Sequence, residues 1–205
     1  MPRGAARGAI LCAAVALAAA GALSVVWHRA PSSSGATPLP DLGALPEFTL
    51  TTHRGEPFTR RSLEGSVWIA DFIFTRCAGQ CPMMTQRMAA LQRRVSDTPA
   101  VRLTSISVDP SHDTPEALAA YARGANAGDR WVFLTGPEDE VIALSRNGFH
   151  LGVGKDGSPA EPVTHSIRLV LLDRAGHLRG YYDADDPQAM RALERDARHL
   201  AAWPR

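Results

Sequence analysis

The chain has 205 residues, of which about the first thirty read as a targeting segment, and the remainder is about one domain's length. Its 22 Lys and Arg residues nearly balance its 21 Asp and Glu residues, and no sustained basic run occurs, so a nucleic-acid-binding role has no electrostatic support. Three cysteines are too few for a disulfide scaffold.

Residues 1–29 are predicted to form an N-terminal transmembrane anchor or a signal segment. The uncharged stretch at 8–27 is long enough to cross a hydrocarbon core of ~30 Å, which favours an uncleaved anchor. The small residues at 18–22 also offer cleavage sites, so a signal peptide stays open. Because Arg3 and Arg7 precede the stretch, we expect a single span in the inner membrane and a soluble domain in the periplasm of a Gram-negative cell.

Residues 30–42 are rich in Pro, Ser, Gly and Thr and are predicted to be a flexible linker, followed by a folded domain at 43–205. The domain begins with a candidate strand at 46–52 and a turn at 53–56, which together favour a small hairpin. The run at 67–74 is almost continuously apolar, which is typical of a strand buried on both faces of a parallel or mixed sheet.

The rest of the chain alternates between helical and strand patterns before a final hairpin and helix. This order, with a cysteine pair at the first strand-to-helix turn, predicts an α/β, thioredoxin-like fold with a central mixed sheet flanked by helices. The predicted elements are a helix at 82–95, a strand at 101–108, a helix at 115–123, a strand at 131–134, a helix at 138–147, a loop at 151–162, strands at 166–172 and 178–182, and a helix at 187–202.

Cys77 and Cys81 lie between the apolar run and the helix that Pro82 opens. Their spacing allows an i, i+4 arrangement with side chains roughly 5–6 Å apart, and the N-terminal end of a helix favours thiolate. Thiolates bind soft metal ions or exchange with disulfides. Copper, zinc and a structural disulfide are all compatible with the pair, although so short a disulfide loop contributes little stability.

Four motifs in order resemble the Sco/SenC family, which are copper-binding, thioredoxin-like proteins that help to assemble the CuA centre of cytochrome c oxidase. The resemblance covers about residues 43–200. The motifs are Phe-x-Phe-Thr-x-Cys-x-x-x-Cys-Pro at 72–82, Ser-Val-Asp-Pro-Ser-His-Asp-Thr-Pro at 107–115, Leu-Thr-Gly at 134–136 and Thr-His-Ser at 164–166 before an apolar strand.

The resemblance implies that Cys77, Cys81 and His165 bind copper. Two thiolates and an imidazole suit Cu(I), and Cu(II) accepts the same donors with an added oxygen ligand. The resemblance also implies that Asp109 steers copper binding or thiol chemistry, whereas for Asp113 we favour a role in satisfying turn backbone donors. Met84 is expected to fill the core rather than to bind metal.

The leading hypothesis is therefore a membrane-tethered copper metallochaperone that needs no catalytic turnover. The implied partners are a copper donor and cytochrome c oxidase subunit II or another copper-receiving protein. The alternative is a thiol-disulfide reductase that keeps target cysteines reduced, with Cys77 and Cys81 as its redox-active disulfide. A peroxidase is a weaker alternative, because the tight cysteine pair is atypical of one.

Overall fold

The computed structural model describes residues 38–77, 79–152 and 167–203, which form a mixed α/β domain. A seven-stranded sheet carries helices on its faces. The strands are β1 (Thr49–Thr52), β2 (Pro57–Thr59), β3 (Val67–Ile73), β4 (Val101–Ser107), β5 (Trp131–Thr135), β6 (Arg168–Leu172) and β7 (Leu178–Asp183). The α-helices are α1 (Cys81–Arg94), α2 (Pro115–Gly124), α3 (Glu138–Ala143) and α4 (Pro187–Ala202). A 3-10 helix spans Arg60–Leu63, and a π-helical turn at Leu144–Gly148 follows α3.

The sheet has the strand order β2-β1-β5-β4-β3-β6-β7, and its three middle strands β5, β4 and β3 are parallel. Every residue of β3 is buried, as the apolar run predicted, because neighbouring strands flank it and both faces of the sheet are covered. The predicted hairpin of β1 and β2 is confirmed. It also extends the sheet, because β1 pairs antiparallel with β5.

Side chains along β3 alternate between two packed faces. On one face, Phe72 meets the ring of Phe149 edge-on at 5.2 Å between centroids. On the other face, Asp71 adjoins Ser105 of β4, which in turn adjoins Phe133 of β5. Helix α2 packs on this second face through Tyr121 and Phe133, and Tyr121 also hydrogen-bonds α1 through Thr85. The helices α1 and α2 therefore lie on the Asp71 side of the sheet.

Local sequence signals set the helix boundaries. Thr114 caps α2 by accepting a hydrogen bond from the backbone N–H of Ala117, and Asp186 caps α4 in the same way through Gln188. A proline follows each cap at the first helical position, where its missing N–H costs nothing. The predicted helix at 138–147 begins at Glu138 but changes to a π-helical turn after Ala143, which the spacing of apolar residues did not predict.

The segment that leads into the domain is hydrogen-bonded to the hairpin of β6 and β7. The backbone N–H of Leu42 donates to the carbonyl of Leu178, and the Asp41 carboxylate lies 2.9 Å from His177 Nδ1. The C-terminal end of the predicted linker is thus tied to the domain. The predicted anchor at 1–29 lies outside the described residues, and none of the helices within those residues has the length and apolar character that spanning a bilayer requires.

Candidate metal and thiol site

The cysteine loop, residues 74–81, connects the carboxyl end of β3 to α1. Cys81 is the first residue of α1 and Pro82 the second, so the loop ends at the N-terminus of the helix. A backbone hydrogen bond of 3.3 Å from Cys77 N–H to the carbonyl of Phe74 closes a turn just before the first cysteine. The second cysteine is connected to the first, because the N–H of Cys81 lies 3.4 Å from Cys77 Sγ.

Neither cysteine is in a disulfide, and both are buried: Cys77 is 8% exposed and Cys81 is fully buried. The prediction that the pair lies together at a strand-to-helix turn is therefore confirmed. No disulfide joins the two cysteines in this structure. Met84, one turn into α1, is also fully buried in the core, as predicted.

The prediction that the helix N-terminus favours thiolate is wrong for Cys81. Burial raises the pKa of this thiol far above its usual value, and the nearby Cys77 and Asp71 raise it further. A hydrogen bond with the backbone of Phe74 opposes this effect but is weaker. In the metal-free chain, Cys81 is consequently a neutral thiol, and any reaction that uses its sulfur as a thiolate must first remove a proton.

Asp71 is the only charged residue of β3 and lies completely buried behind the loop. Burial raises its pKa to about 7, although the Ser105 hydroxyl donates a hydrogen bond to Oδ1 at 2.6 Å. Its Oδ2 has no partner among the described residues. Electrostatic interactions connect Asp71 with Cys81 and with Tyr121, so an ionisable carboxyl group lies in the same interior region as the thiols.

Asp109, which we predicted to steer the chemistry of the site, forms an ion pair with Arg76 at the surface of the cysteine loop. The Arg76 guanidinium donates to Oδ2 at 2.7 Å, and His112 Nδ1 lies 2.9 Å from Oδ1. Burial opposes ionisation of Asp109, but the hydrogen bonds from Arg76, His112 and Ser111 outweigh it and hold its pKa below the usual range. Because Arg76 directly precedes Cys77, Asp109 reaches the cysteine loop through this guanidinium.

Asp113 accepts a hydrogen bond from a turn backbone N–H, as the sequence favoured, but that N–H belongs to Thr75 in a neighbouring turn. Its carboxylate does not cap its own turn, since its hydrogen-bond donors are Thr75 of the cysteine loop and Ser107 at the end of β4. It is fully buried. The residues in the Asp109–Asp113 loop therefore contact the cysteine loop at two points, one at the surface and one in the interior.

His165, the third predicted copper ligand, lies outside the described residues, as does Ala78 within the cysteine loop. Across the parts of the chain that the structure describes, no three His, Cys, Asp or Glu residues form a group that could hold a metal ion. The described ligands of the predicted site are therefore the two sulfurs alone.

Sequence reasoning did not single out Asp71, Thr75 or Ser107. One signal for Asp71 was available, because a single carboxyl group interrupts an otherwise apolar strand. Such a residue must be buried if the strand is buried. Thr75 and Ser107 are fixed positions of the first two motifs, but the motifs do not predict what their hydroxyl groups do, because that depends on two loops distant in sequence lying side by side.

Comparison with known proteins matches residues 39–200 to the family model described as SCO1/SenC. The chain is 36% identical over 132 residues to the "SCO1 protein homolog" of Bacillus subtilis, covering 54% of this chain and 68% of that protein. It is 31% identical over 160 residues to a "Putative copper-binding protein" of Stutzerimonas stutzeri, covering 77% of this chain and 76% of that protein.

A solved structure of BsSco, described as a member of the Sco family of cytochrome c oxidase assembly proteins with a disulfide switch, superposes with a TM-score of 0.72. That similarity covers 81% of this chain and 98% of BsSco at 29% sequence identity. The fold is thus shared with a solved relative over most of both chains.

Proposed function

Because this chain belongs to the SCO1/SenC family, we propose that it is a copper metallochaperone that serves cytochrome c oxidase assembly. In this role copper is cargo that the protein receives and passes on. The observation that carries the proposal is the cysteine pair Cys77 and Cys81, neither of which is in a disulfide: the backbone N–H of Cys81 lies 3.4 Å from Cys77 Sγ, and both side chains are largely shielded from water. Two sulfur donors from one short loop form a soft ligand pair, which suits Cu(I).

His165 is the proposed third ligand, and the sheet topology supports it. β6 runs antiparallel to β3, with Ala70 opposite Val170 and Trp68 opposite Leu172. The amino end of β6 therefore adjoins the carboxyl end of β3, from which the cysteine loop departs. His165 precedes Arg168, the first residue of β6, by three positions in the sequence. An imidazole added to two thiolates gives three donors for Cu(I), and an oxygen ligand would complete a site for Cu(II).

The proposed setting is the periplasmic face of an inner membrane, with residues 1–29 as the attachment. The proposed partners are a copper donor and a copper-receiving protein such as cytochrome c oxidase subunit II. Support for the recipient comes from BsSco, which is described as a member of a family of oxidase assembly proteins.

A thiol-disulfide reductase is the second candidate, and the proximity of the two cysteines, neither of which is in a disulfide, favours it. In this reaction the thiols of Cys77 and Cys81 would form one disulfide bond and pass two electrons and two protons to a disulfide of the target, which becomes two thiols. A disulfide switch has been identified in the relative BsSco. The two candidates use the same sulfurs but differ in their need for His165, because thiol exchange requires no imidazole ligand.

The test is to load the purified full chain anaerobically with Cu(I) and to measure bound copper and affinity. We expect about one ion per chain, loss of binding in the Cys77→Ser and Cys81→Ser double variant, and weaker binding in His165→Ala. Cys12→Ser and His199→Ala are matched controls that should bind as the wild type does, because Cys12 lies in the predicted anchor and His199 in the last turn of α4.

Undiminished copper binding by the double cysteine variant would contradict the metallochaperone proposal. If the His165→Ala variant bound copper poorly but still supported oxidase assembly, the reductase would be the better description.

A further inference from the structure

Two loops lie side by side at the carboxyl ends of the parallel strands β3 and β4. The backbone N–H of Val108 donates to the carbonyl of Ile73 at 2.9 Å, which holds the two strand ends together. Beyond this point the first chain segment becomes the cysteine loop and the second becomes the Asp109–Asp113 loop. The cysteine loop can therefore be positioned by side chains from its neighbour.

The interior connection between these loops is made by Asp113. Its Oδ1 accepts a hydrogen bond of 2.5 Å from the Thr75 hydroxyl, and its Oδ2 accepts 3.1 Å from the Thr75 backbone N–H and 2.5 Å from the Ser107 hydroxyl. The three donors are neutral, and the carboxylate is fully buried among them. Hydrogen bonds to an ionised acceptor are stronger than those between neutral groups, so this is a firm attachment point.

Asp113 is itself held in place. Its backbone N–H donates to the carbonyl of Asp109 at 2.9 Å, and the same Ser107 hydroxyl accepts from the backbone N–H of Asp109 at 3.1 Å. The carboxylate thus projects from a closed turn at the end of β4 rather than from a free loop. A rigid neighbour can fix the position of Thr75, whereas a mobile one could not.

The position of Thr75 determines where the first sulfur lies. Thr75 is the second residue before Cys77, and the turn from Phe74 to Cys77 encloses it. Cys77 Sγ in turn lies 3.4 Å from the N–H of Cys81 at the start of α1. A chain of contacts therefore runs from Asp113 through Thr75 to Cys77 and then to Cys81.

A second, outer connection between the loops is the ion pair of Arg76 with Asp109, and it cannot replace the inner connection that Asp113 makes with Thr75. Arg76 pairs with Asp109 and approaches His112, but the side chains of Arg76 and His112 are 52% and 51% exposed. Ion pairs at such exposure compete with water and are screened by salt. A buried carboxylate with fixed hydrogen bonds holds a loop more tightly than an exposed guanidinium does.

We propose that Asp113 is a positioning residue that acts through Thr75 to place the Cys77 sulfur for copper binding, an assignment that rests on the proposed function. Asp113 donates no atom to copper. Its carboxylate keeps the cysteine loop in the geometry that lets both sulfurs reach one ion, and the same placement would serve thiol exchange.

The first test compares Thr75→Ser, which keeps the hydroxyl, with Thr75→Val, which replaces it by a methyl group of similar size. We expect the Ser variant to bind Cu(I) within about twofold of the wild type and the Val variant to bind several-fold more weakly.

The second test changes Asp113 itself. Asp113→Ala removes the whole attachment and should lower the affinity for Cu(I) ~10–100-fold, while Asp113→Asn, which keeps one acceptor oxygen, should lower it less. Asp129→Ala is the matched control, because this carboxylate is fully exposed and its ion pair is with Arg54.

A spectroscopic readout separates positioning from general stability. The sulfur-to-Cu(II) charge-transfer band and the copper EPR spectrum report the geometry of the bound sulfurs. Thr75→Val and Asp113→Ala should therefore change both spectra, whereas Thr75→Ser should keep the wild-type spectra. In the copper-free chain, hydrogen exchange at the Thr75 amide should accelerate in Asp113→Ala, because this N–H donates to the carboxylate.

Wild-type affinity and spectra in a folded Asp113→Ala variant would overturn the inference. If that variant does not fold, equal affinity and spectra of Thr75→Val and Thr75→Ser would overturn it instead. A wild-type chain that binds no copper would contradict the proposed function itself, and faster exchange at the Thr75 amide in Asp113→Ala would still test the positioning of the loop.

Discussion

Two buried carboxyl groups behind the cysteine loop differ in the number of donors that reach them. Asp71, in β3, accepts one side-chain hydrogen bond, from Ser105, and its Oδ2 has no partner in the described part of the chain. Asp113, in the loop after β4, accepts hydrogen bonds on both oxygens from Thr75 and Ser107. Backbone N–H groups within a sheet are already used in the ladder, whereas a loop can direct free N–H and hydroxyl groups to one side chain.

The consequence is that hydrogen bonds compensate the loss of water at Asp113 but not at Asp71. At Asp71 the ionised form is poorly solvated, so burial destabilises it and raises the pKa to about 7. At Asp113 the hydrogen bonds offset the loss of water, and the carboxylate becomes an attachment for the neighbouring loop. Removal of each carboxylate should therefore change stability in opposite directions above neutral pH.

The largest expected effect is that of Asp113→Ala on the copper-free chain. Loss of the acceptor leaves the Thr75 N–H and two hydroxyl groups without their partner, which should lower the free energy of unfolding by about 3 kcal/mol. Urea denaturation of the wild type and the variant at pH 7 measures this difference in unfolding free energy. Asp129→Ala should change the same quantity by less than about 0.5 kcal/mol, because its ion pair with Arg54 is exposed. A loss below about 1 kcal/mol for Asp113→Ala would remove the contrast with Asp71.

The second effect is the pH dependence that Asp71 confers. Its pKa is raised from 3.8 to about 7 on folding, so between these pH values the folded chain holds a proton that the unfolded chain has released. Stability is therefore present at low pH and is lost as the pH rises towards 7, by up to about 1.4 kcal/mol per pH unit.

Asp71→Asn should remove this loss, so the variant should be about 2 kcal/mol less stable than the wild type near pH 4 and about 2 kcal/mol more stable at pH 8. Urea denaturation of both chains between pH 4 and pH 8 measures the difference, and the other carboxyl groups, which are common to both chains, cancel. Parallel pH profiles for the two chains would show that burial does not perturb Asp71.

The smallest effect is expected for Arg76→Ala, which breaks the outer connection to Asp109. The exposed guanidinium competes with water, so the unfolding free energy should change by less than about 1 kcal/mol and the change should shrink at high salt. Arg54→Ala provides the control, since Arg54 is 45% exposed and also pairs with one aspartate. A loss comparable to that of Asp113→Ala would mean that the outer ion pair holds the loop as firmly as the inner carboxylate.

The helices and strands were predictable where their signals are local. The last helix, predicted at 187–202, is found as Pro187–Ala202, because Asp186 caps it and Pro187 begins it. The buried strand, predicted at 67–74, ends one residue earlier at Ile73. The addition of β1 to the sheet edge was not predictable in the same way, because its pairing with β5 joins residues about eighty positions apart.

The sequence by itself determined the cysteine pair, its place between a buried strand and a helix, and the family resemblance, because each depends on residues close together in the chain. The tertiary structure decided the environment of those cysteines. It buries Cys81 so that its thiol stays protonated, gives one Asp71 oxygen no partner among the described residues, and directs Asp113 to Thr75 across 38 positions. Burial and hydrogen-bond partners depend on what the fold brings together, and side-chain chemistry alone does not specify either.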